Sequence, residues 1–194
     1  MLRVKEEILL HVCCAPCSTY VIDVLSEKFT VTAFFYNPNI QPAEEYEKRL
    51  FEVRRYSSMC DIDLIVADYE DVVWNDLVHD LEREPEGGSR CEKCFMVRLQ
   101  KTAALANEQG FGNFTTTLTV SPHKDSNLIN RIGMLVGEKA GVKYLAHDFK
   151  QNNGYSISCD LSRQYGLYRQ KYCGCQFSKR ERIQHEKKHR KKSV

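Results

Sequence analysis

The chain of 194 residues is 42% hydrophobic and 28% charged, the balance of a globular protein with one compact domain. It has no run of eighteen apolar residues, and its opening MLRVKEEILLHVCC sets acidic residues around a short apolar stretch, so the reading has neither membrane span nor secretory leader and expects the cytoplasm. The formal charge of +2 is uneven: Lys179 to Val194 hold eight Lys or Arg against two Glu, while the rest carries 20 basic and 24 acidic side chains. A single α/β catalytic domain over residues 1–178 and a basic C-terminal tail over 179–194 are expected, and such a tail favours a polyanion, nucleic acid being the commonest. A solvated, frayed terminus is the competing reading.

Hydrophobic periodicity orders the chain. Ile8 to Val12 reads as an apolar strand leading into HVCCAPC, and Pro16 to Glu27 as a helix whose proline sits harmlessly in the first turn. Phe29 to Tyr36 (FTVTAFFY) is a strand, Pro42 to Ser58 a second proline-opened helix, and Asp63 to Ala67 (DLIVA) a third strand. Helices follow near Tyr69 to Leu81 and over Cys91 to Glu108, joined by the hinge-like loop EREPEGGS, which delivers Arg90 and Cys91 to a helix start. Then come a strand at Asn113 to Val120, a helix at Ser126 to Ala140 and a strand at Lys143 to Ala146. This alternation predicts a mainly parallel, three-layer α/β sheet of Rossmann-like type with right-handed crossovers. Ligands of such sheets bind beyond the carboxyl ends of the strands, so HVCCAPC, VSPHKD and HDFKQNNG are expected to face one crevice.

Nine cysteines exceed what packing requires, and a reducing compartment disfavours a disulfide framework, which leaves metal or redox chemistry. Cys13, Cys14 and Cys17 lie between a strand and a helix N-terminus, whose dipole favours the thiolates that metals bind. Cys91 and Cys94 form a C-x-x-C that opens a second helix, and Cys173 and Cys175 form a C-x-C around Gly174. A closed zinc site uses four ligands and leaves three of these thiols unassigned. An iron–sulfur cluster on four thiolates, beside a second thiol group for another metal or for electron shuttling, uses them all. The ferredoxin run C-x2-C-x2-C-x3-C-P is absent, so a cluster here is assembled from distant loops. Cys60 and Cys159 stand alone and read as small buried hydrophobes, with Asp160 beside Cys159 as a hard oxygen ligand.

VSPHKD places Ser121, His123, Lys124 and Asp125 just past a strand end, suited to a substrate's phosphate or hydroxyls, while Asp125 also suits a helix cap. His11, inside a strand, reads as a satisfied core histidine. YGLYRQKYCGC interleaves Tyr165, Tyr168 and Tyr172 with Arg169 and Lys171, the mixture that stacks on bases and meets phosphates. Tyrosines packed on the body are the competing reading.

Four ordered motifs, HVCCAPCS, RCEKCFMVRL, TVSPHKD and RQKYCGCQFS, span about Ile8 to Ser178 and together resemble the QueH type of epoxyqueuosine reductase, formerly a domain of unknown function. The resemblance implies an oxidoreductase of tRNA processing. It would complete queuosine biosynthesis by converting epoxyqueuosine in the anticodon loop of tRNA to the cyclopentene of queuosine, with iron–sulfur chemistry and no cobalamin. It also implies a fold similar to the nucleotide alpha hydrolase-like (HUP, PP-loop) enzymes. Their phosphate loop S-G-G-x-D-S is replaced here by HVCCAPC, and without those glycines no backbone cradle for a pyrophosphate, hence no use of ATP, is expected. Carried over residue by residue, the family pattern gives Cys13, Cys14, Cys91 and Cys94 as ligands of a 4Fe-4S cluster, with Cys17 as the substitute. Cys173 and Cys175 become a redox-active dithiol or thiolate ligands of a second iron, for which Cys17, Asp148 and Asp160 are further ligands.

Removing an epoxide oxygen to leave an alkene takes two electrons and two protons and releases water, so the expected site has an electron source, a polarising centre and a proton donor. Cys173, Cys175, Lys124, His123 and Asp148 are the expected catalytic residues, with Lys124, His123 or a tyrosine delivering the proton. Ser121, Tyr168, Arg169 and Gln170 are expected to touch substrate. Expected partners are tRNA bearing epoxyqueuosine and an electron donor that the sequence leaves unidentified, with no membrane. The alternatives are an ATP-dependent iron–sulfur tRNA-thiolating enzyme and a zinc-stabilised nucleic-acid-binding module without catalysis.

Overall fold

The computed structural model describes residues 5–192, so Met1 to Val4, where the reading of the leader begins, and Ser193 and Val194 lie outside it. Short apolar and β-branched runs form β1 (Glu6–His11), β2 (Phe29–Phe35), β3 (Asp63–Val66), β4 (Asn113–Thr116) and β5 (Lys143–Tyr144). They pair in the order β3-β2-β1-β4-β5, every pair parallel. Ile8, Leu9 and Leu10 of the central β1 are buried on both faces, which is why the apolar run is continuous rather than alternating. The crossovers are α1 (Ala15–Ser26), α2 (Ala43–Met59), α3 (Asp71–Leu77) with α4 (Ser89–Glu108), and α5 (Ser126–Ala140). Then follow α6 (Gly154–Gln164) and α7 (Gln176–Lys192).

Strand periodicity divides the core. Ile8 and Leu10 pack with Val21 and Ile22 of α1 and Leu50 and Val53 of α2. Leu9, Phe34 and Phe114 pack with Leu99 and Ala103 of α4 and Ile129 and Ile132 of α5. This is the expected three-layer arrangement. Gly133 lets α5 approach the sheet, because a methyl there would strike the Tyr144 ring.

Two differences from expectation bear on the site. β4 ends at Thr116 instead of running to Val120, because Thr116 Oγ1 accepts from Leu118 N and Thr117 Oγ1 accepts from Cys13 N, each at 3.1 Å, and Thr117–Val120 becomes a 3-10 turn. α7 begins before Lys179 and crosses the expected start of the tail. Its first turn is held by buried Phe177 and Ser178, and Glu181 pairs at 3.1 Å with Arg90, whose side chain is 1% exposed. Among the described residues, no helix is long and apolar enough to cross a membrane.

Candidate functional site

The carboxyl ends of β1 and β4 open into a cleft of about 630 Å³. Cys13 and Cys17 line it from the β1–α1 turn, and Ser121, His123 and Lys124 from the loop before α5. Arg98 of α4, the segment 169–173, and Arg182 and His185 of α7 complete much of the wall. The first and fourth strand loops thus meet as the crevice rule requires. The loop after β5 does not line the cleft; α6 beyond it does, through Tyr155, Ser158, Cys159 and Ser162.

The turn HVCCAPC is compact because Val12 N still donates to Phe34 O at 2.8 Å while Pro16 sits at the start of α1. Its three sulfurs lie within 4.8 Å of one another. Among the described residues this is the one group of three metal-capable side chains so closely spaced. Hydrogen bonds from the Cys14 and Cys17 thiols hold Cys13 well below the usual thiol range, aided by the Lys124 and Arg98 charges, although burial opposes them. Burial first, and then Cys13, pushes Cys14 up to about 12. Hydrogen bonding with Cys13 and Cys14 raises Cys17 well above its ordinary value. Of the three sulfurs, Cys13 is the one whose surroundings favour the thiolate, and it also accepts from the Thr117 hydroxyl at 3.3 Å.

A second set of thiols lies nearby. Cys91 and Cys94 open α4, and the Cys173–Cys175 loop faces them: burial raises both α4 thiols, Cys94 to about 12, and the two loop sulfurs add to each shift. Arg49 pins this loop by donating to the Cys173 and Tyr172 carbonyls at 2.8 and 3.1 Å. Between the sets stand two cations. Burial works against the charge of Arg98, but Cys94, Cys13 and Cys173 outweigh it, and Arg98 donates to Cys94 Sγ at 3.7 Å. Burial likewise opposes Lys124, while Cys173, Cys13 and Cys17 hold it above the usual lysine value.

Other expected residues scatter. Asp148 does not line the cleft: its carboxylate accepts from Lys150 N at 3.1 Å and pairs with Lys150 Nζ at 3.4 Å. Burial opposes its charge, yet the Lys150 amide, the Ser126 hydroxyl and the Lys150 ammonium hold it below the usual carboxylate range. Asp160 also lies away from the thiols, paired with Arg163 on the exposed side of α6. Asp125 caps α5 by accepting from Asn127 N at 2.8 Å and Leu128 N at 3.2 Å. His11 is a core histidine, 0% exposed, with Nδ1 2.8 Å from Thr116 Oγ1. Tyr165 packs edge-on against Tyr56, and Tyr168 donates to Glu45 under the Lys48 ammonium, while Tyr172, Arg169 and Gln170 reach the cleft. Cys159, read as a buried hydrophobe, instead lines the cleft and accepts from Arg169 Nη2 at 2.9 Å.

A parallel sheet whose first strand ends in clustered thiols defines an α/β protein with a sulfur site at the carboxyl edge of the sheet. Solved structures share this scaffold at low identity. The U34-tRNA thiolase NcsA from Methanococcus maripaludis, solved with its [4Fe-4S] cluster, aligns with TM-score 0.56 at 12% identity, over 91% of this chain and 62% of that one. A predicted subunit of tRNA methyltransferase from Methanocaldococcus jannaschii aligns with TM-score 0.54 at 10% identity, over 80% of this chain and 74% of that one. The family described as Epoxyqueuosine reductase QueH matches residues 8–181, and the chain belongs to it, a family of oxidoreductases. Its relatives of that description include one from Streptococcus pyogenes serotype M1, 44% identical over 90% of this chain and 71% of the relative. One from Thermotoga maritima is 40% identical over 90% and 91%.

Proposed function

We propose that the protein reduces epoxyqueuosine in tRNA to queuosine, in the cytoplasm, with an iron–sulfur cluster and an external electron donor. The observation that carries this reading is the trio Cys13, Cys14 and Cys17 within 4.8 Å at the sheet's carboxyl edge, in a chain of the QueH family. The donor set is thiol throughout, the soft ligand type that iron–sulfur clusters take, and it suits a 4Fe-4S cluster on Cys13, Cys14, Cys91 and Cys94, with Cys17, the third member of the trio, as the substitute ligand. When bound, such a cluster supplies electrons one at a time.

The protein's own side chains do the rest. Arg98, 2% exposed, hydrogen-bonds Asn37, His11 and Cys94, none a carboxylate, so its charge answers the thiolates. Lys124 faces the cleft charged, placed to stabilise an alkoxide as the epoxide opens, and with His123 it supplies protons. Two electrons and two protons then convert epoxide to alkene and water. Cys173 and Cys175 form the second thiol site, as a dithiol or as ligands of a second iron. Ser121, Arg169, Gln170 and Lys171 at the cleft meet the substrate nucleotide and its phosphates, with Tyr168 beside them. Anaerobic incubation with epoxyqueuosine tRNA and a chemical reductant, followed by nucleoside mass analysis, tests the reading. Loss of sixteen mass units without ATP or cobalamin is expected; an unchanged nucleoside with iron-loaded protein would overturn it.

A further inference from the structure

α6 forms a wall of the cleft to which the reduction assigns nothing. Tyr155, Ser158, Cys159 and Ser162 recur at helical spacing along its cleft face. The helix is firmly seated, since a methyl at Gly154 would overlap the Phe149 carbonyl and the Tyr20 ring. Left-handed backbone at Asn152 and Asn153, φ 54° and 60°, fixes its entry.

Two polar atoms at this cleft lack partners among the described residues. Ser158 is 4% exposed, and its Oγ makes no hydrogen bond. Ser162, one turn on, is satisfied by donating to the Ser158 carbonyl at 2.5 Å, so the deficit is confined to Ser158. Gln170 donates its Nε2 to Cys14 Sγ at 2.9 Å, which leaves its Oε1 buried and unpartnered. A buried polar group left so costs about 1–3 kcal/mol, and native proteins keep few of them. Both residues line the same cleft, and Gln170 joins it to the thiol trio.

The chemistry of the missing partner follows from the two atoms. Gln170 Oε1 only accepts, and its amide is oriented by Cys14, whereas Ser158 Oγ both donates and accepts. The ligand must bring at least one O–H or N–H donor together with a second polar group, which a fully ionised phosphate does not offer. We propose that Ser158 of α6 and Gln170 together bind a ring bearing hydroxyl or amine donors, holding it against the cysteines. This deepens the reductase reading and rests on it: the ring is the epoxide-bearing ring of the substrate or the ribose attached to its base.

The test is Ser158→Ala in the iron-loaded full-length protein, with epoxyqueuosine tRNA and unmodified tRNA as probes. KM for epoxyqueuosine tRNA should rise about five- to tenfold while kcat stays within about twofold, as expected when one hydrogen bond common to ground and transition states is removed. The thermal midpoint of the free protein should be unchanged or higher, because an unpartnered hydroxyl has been removed; a purely structural serine would lower it and leave KM alone. Weakened equilibrium binding of epoxyqueuosine tRNA only assigns the contact to the modified ring, and equal weakening with unmodified tRNA assigns it to the ribose. Should the wild-type protein produce no queuosine, the reductase reading falls, and the two binding curves still decide the site. Equal affinities of wild type and Ser158→Ala for both tRNAs would overturn the proposal.

Discussion

His11 and the cysteines beside it show how much single residues carry here. Burial, and then the Arg98 charge, lower the His11 pKa from 6.5 to about 3, so the fold holds the ring neutral. The unfolded chain takes a proton below pH 6.5 that the folded chain refuses until about pH 3. This contribution to stability is therefore complete above pH 6.5 and falls as pH drops through that window, by at most about 1.4 kcal/mol per unit. Urea unfolding at pH 7 and pH 5 should show a loss of up to about 2 kcal/mol in the wild type that is missing from His11→Gln; equal losses in both would refute it. The sulfur groups divide by a second substitution series. Cys13→Ser, Cys14→Ser, Cys91→Ser and Cys94→Ser should each lose iron and turnover together, since a hydroxyl does not replace a thiolate. Cys173→Ser and Cys175→Ser should lose turnover and keep most iron–sulfur absorbance if the pair is a dithiol. Iron analysis with the visible spectrum checks both, and bleaching by either loop variant would move that cysteine into the cluster's ligand set.

Among elements, the loop Tyr172 to Gln176 is held by Arg49, which donates to two of its carbonyls. Gly174 has φ +151°, and a methyl on it would sit 3.0 Å from Asn39 Nδ2 and 3.2 Å from Ile40 Cγ1. Its carbonyl also accepts from Gln41 N at 2.9 Å, a bond that a shift of the backbone would strain. Gly174→Ala should cost about 1–3 kcal/mol and displace the two flanking sulfurs, read as a lower unfolding midpoint with reduced turnover. A midpoint equal to wild type would show the loop to be softer than its contacts imply. The flexibility of Gly174 was legible in the C-x-C motif, and the β-α alternation was legible because Pro16, the apolar run from Ile8 and the capping Asp125 each mark a boundary locally. α6 was not, for physical reasons: its N-cap Asn153 makes no side-chain cap bond, and GYSISCDLSRQ is rich in serine, a poor helix former. Thr117 to Val120 kept a strand's composition while their backbone was claimed by threonine hydroxyls. The chemistry of the site was visible in its residue types, and the C-C-x-x-C spacing already set Cys13, Cys14 and Cys17 together at one helix start. Spacing along the chain could not show that Lys150 and Arg163 occupy the carboxylates of Asp148 and Asp160.

Across the whole molecule, thiols gather at the strand ends and the densest run of cations follows α7. The first half of that helix is part of the body, because Glu181 answers the buried Arg90 and Arg182 and His185 line the cleft. Truncation after Ser178 would leave the Arg90 guanidinium with only the Leu81, Glu82 and Glu84 carbonyls, a change expected to lower stability and to disturb the start of α4 where Cys91 and Cys94 lie. Truncation after Lys187 avoids this and still removes Lys188, Arg190, Lys191 and Lys192. If these four cations meet phosphates, they position tRNA without reading its sequence, so their loss belongs to affinity. The shorter variant should bind tRNA more weakly and show a slope of log affinity against log salt reduced by up to ~3, with turnover at saturating tRNA nearly intact. Binding titrations at several salt concentrations, at matched iron content, check it. Equal affinity and equal slope in the two proteins would mean that these cations touch no RNA, and that Arg169, Lys171 and Arg182 at the cleft suffice to hold it.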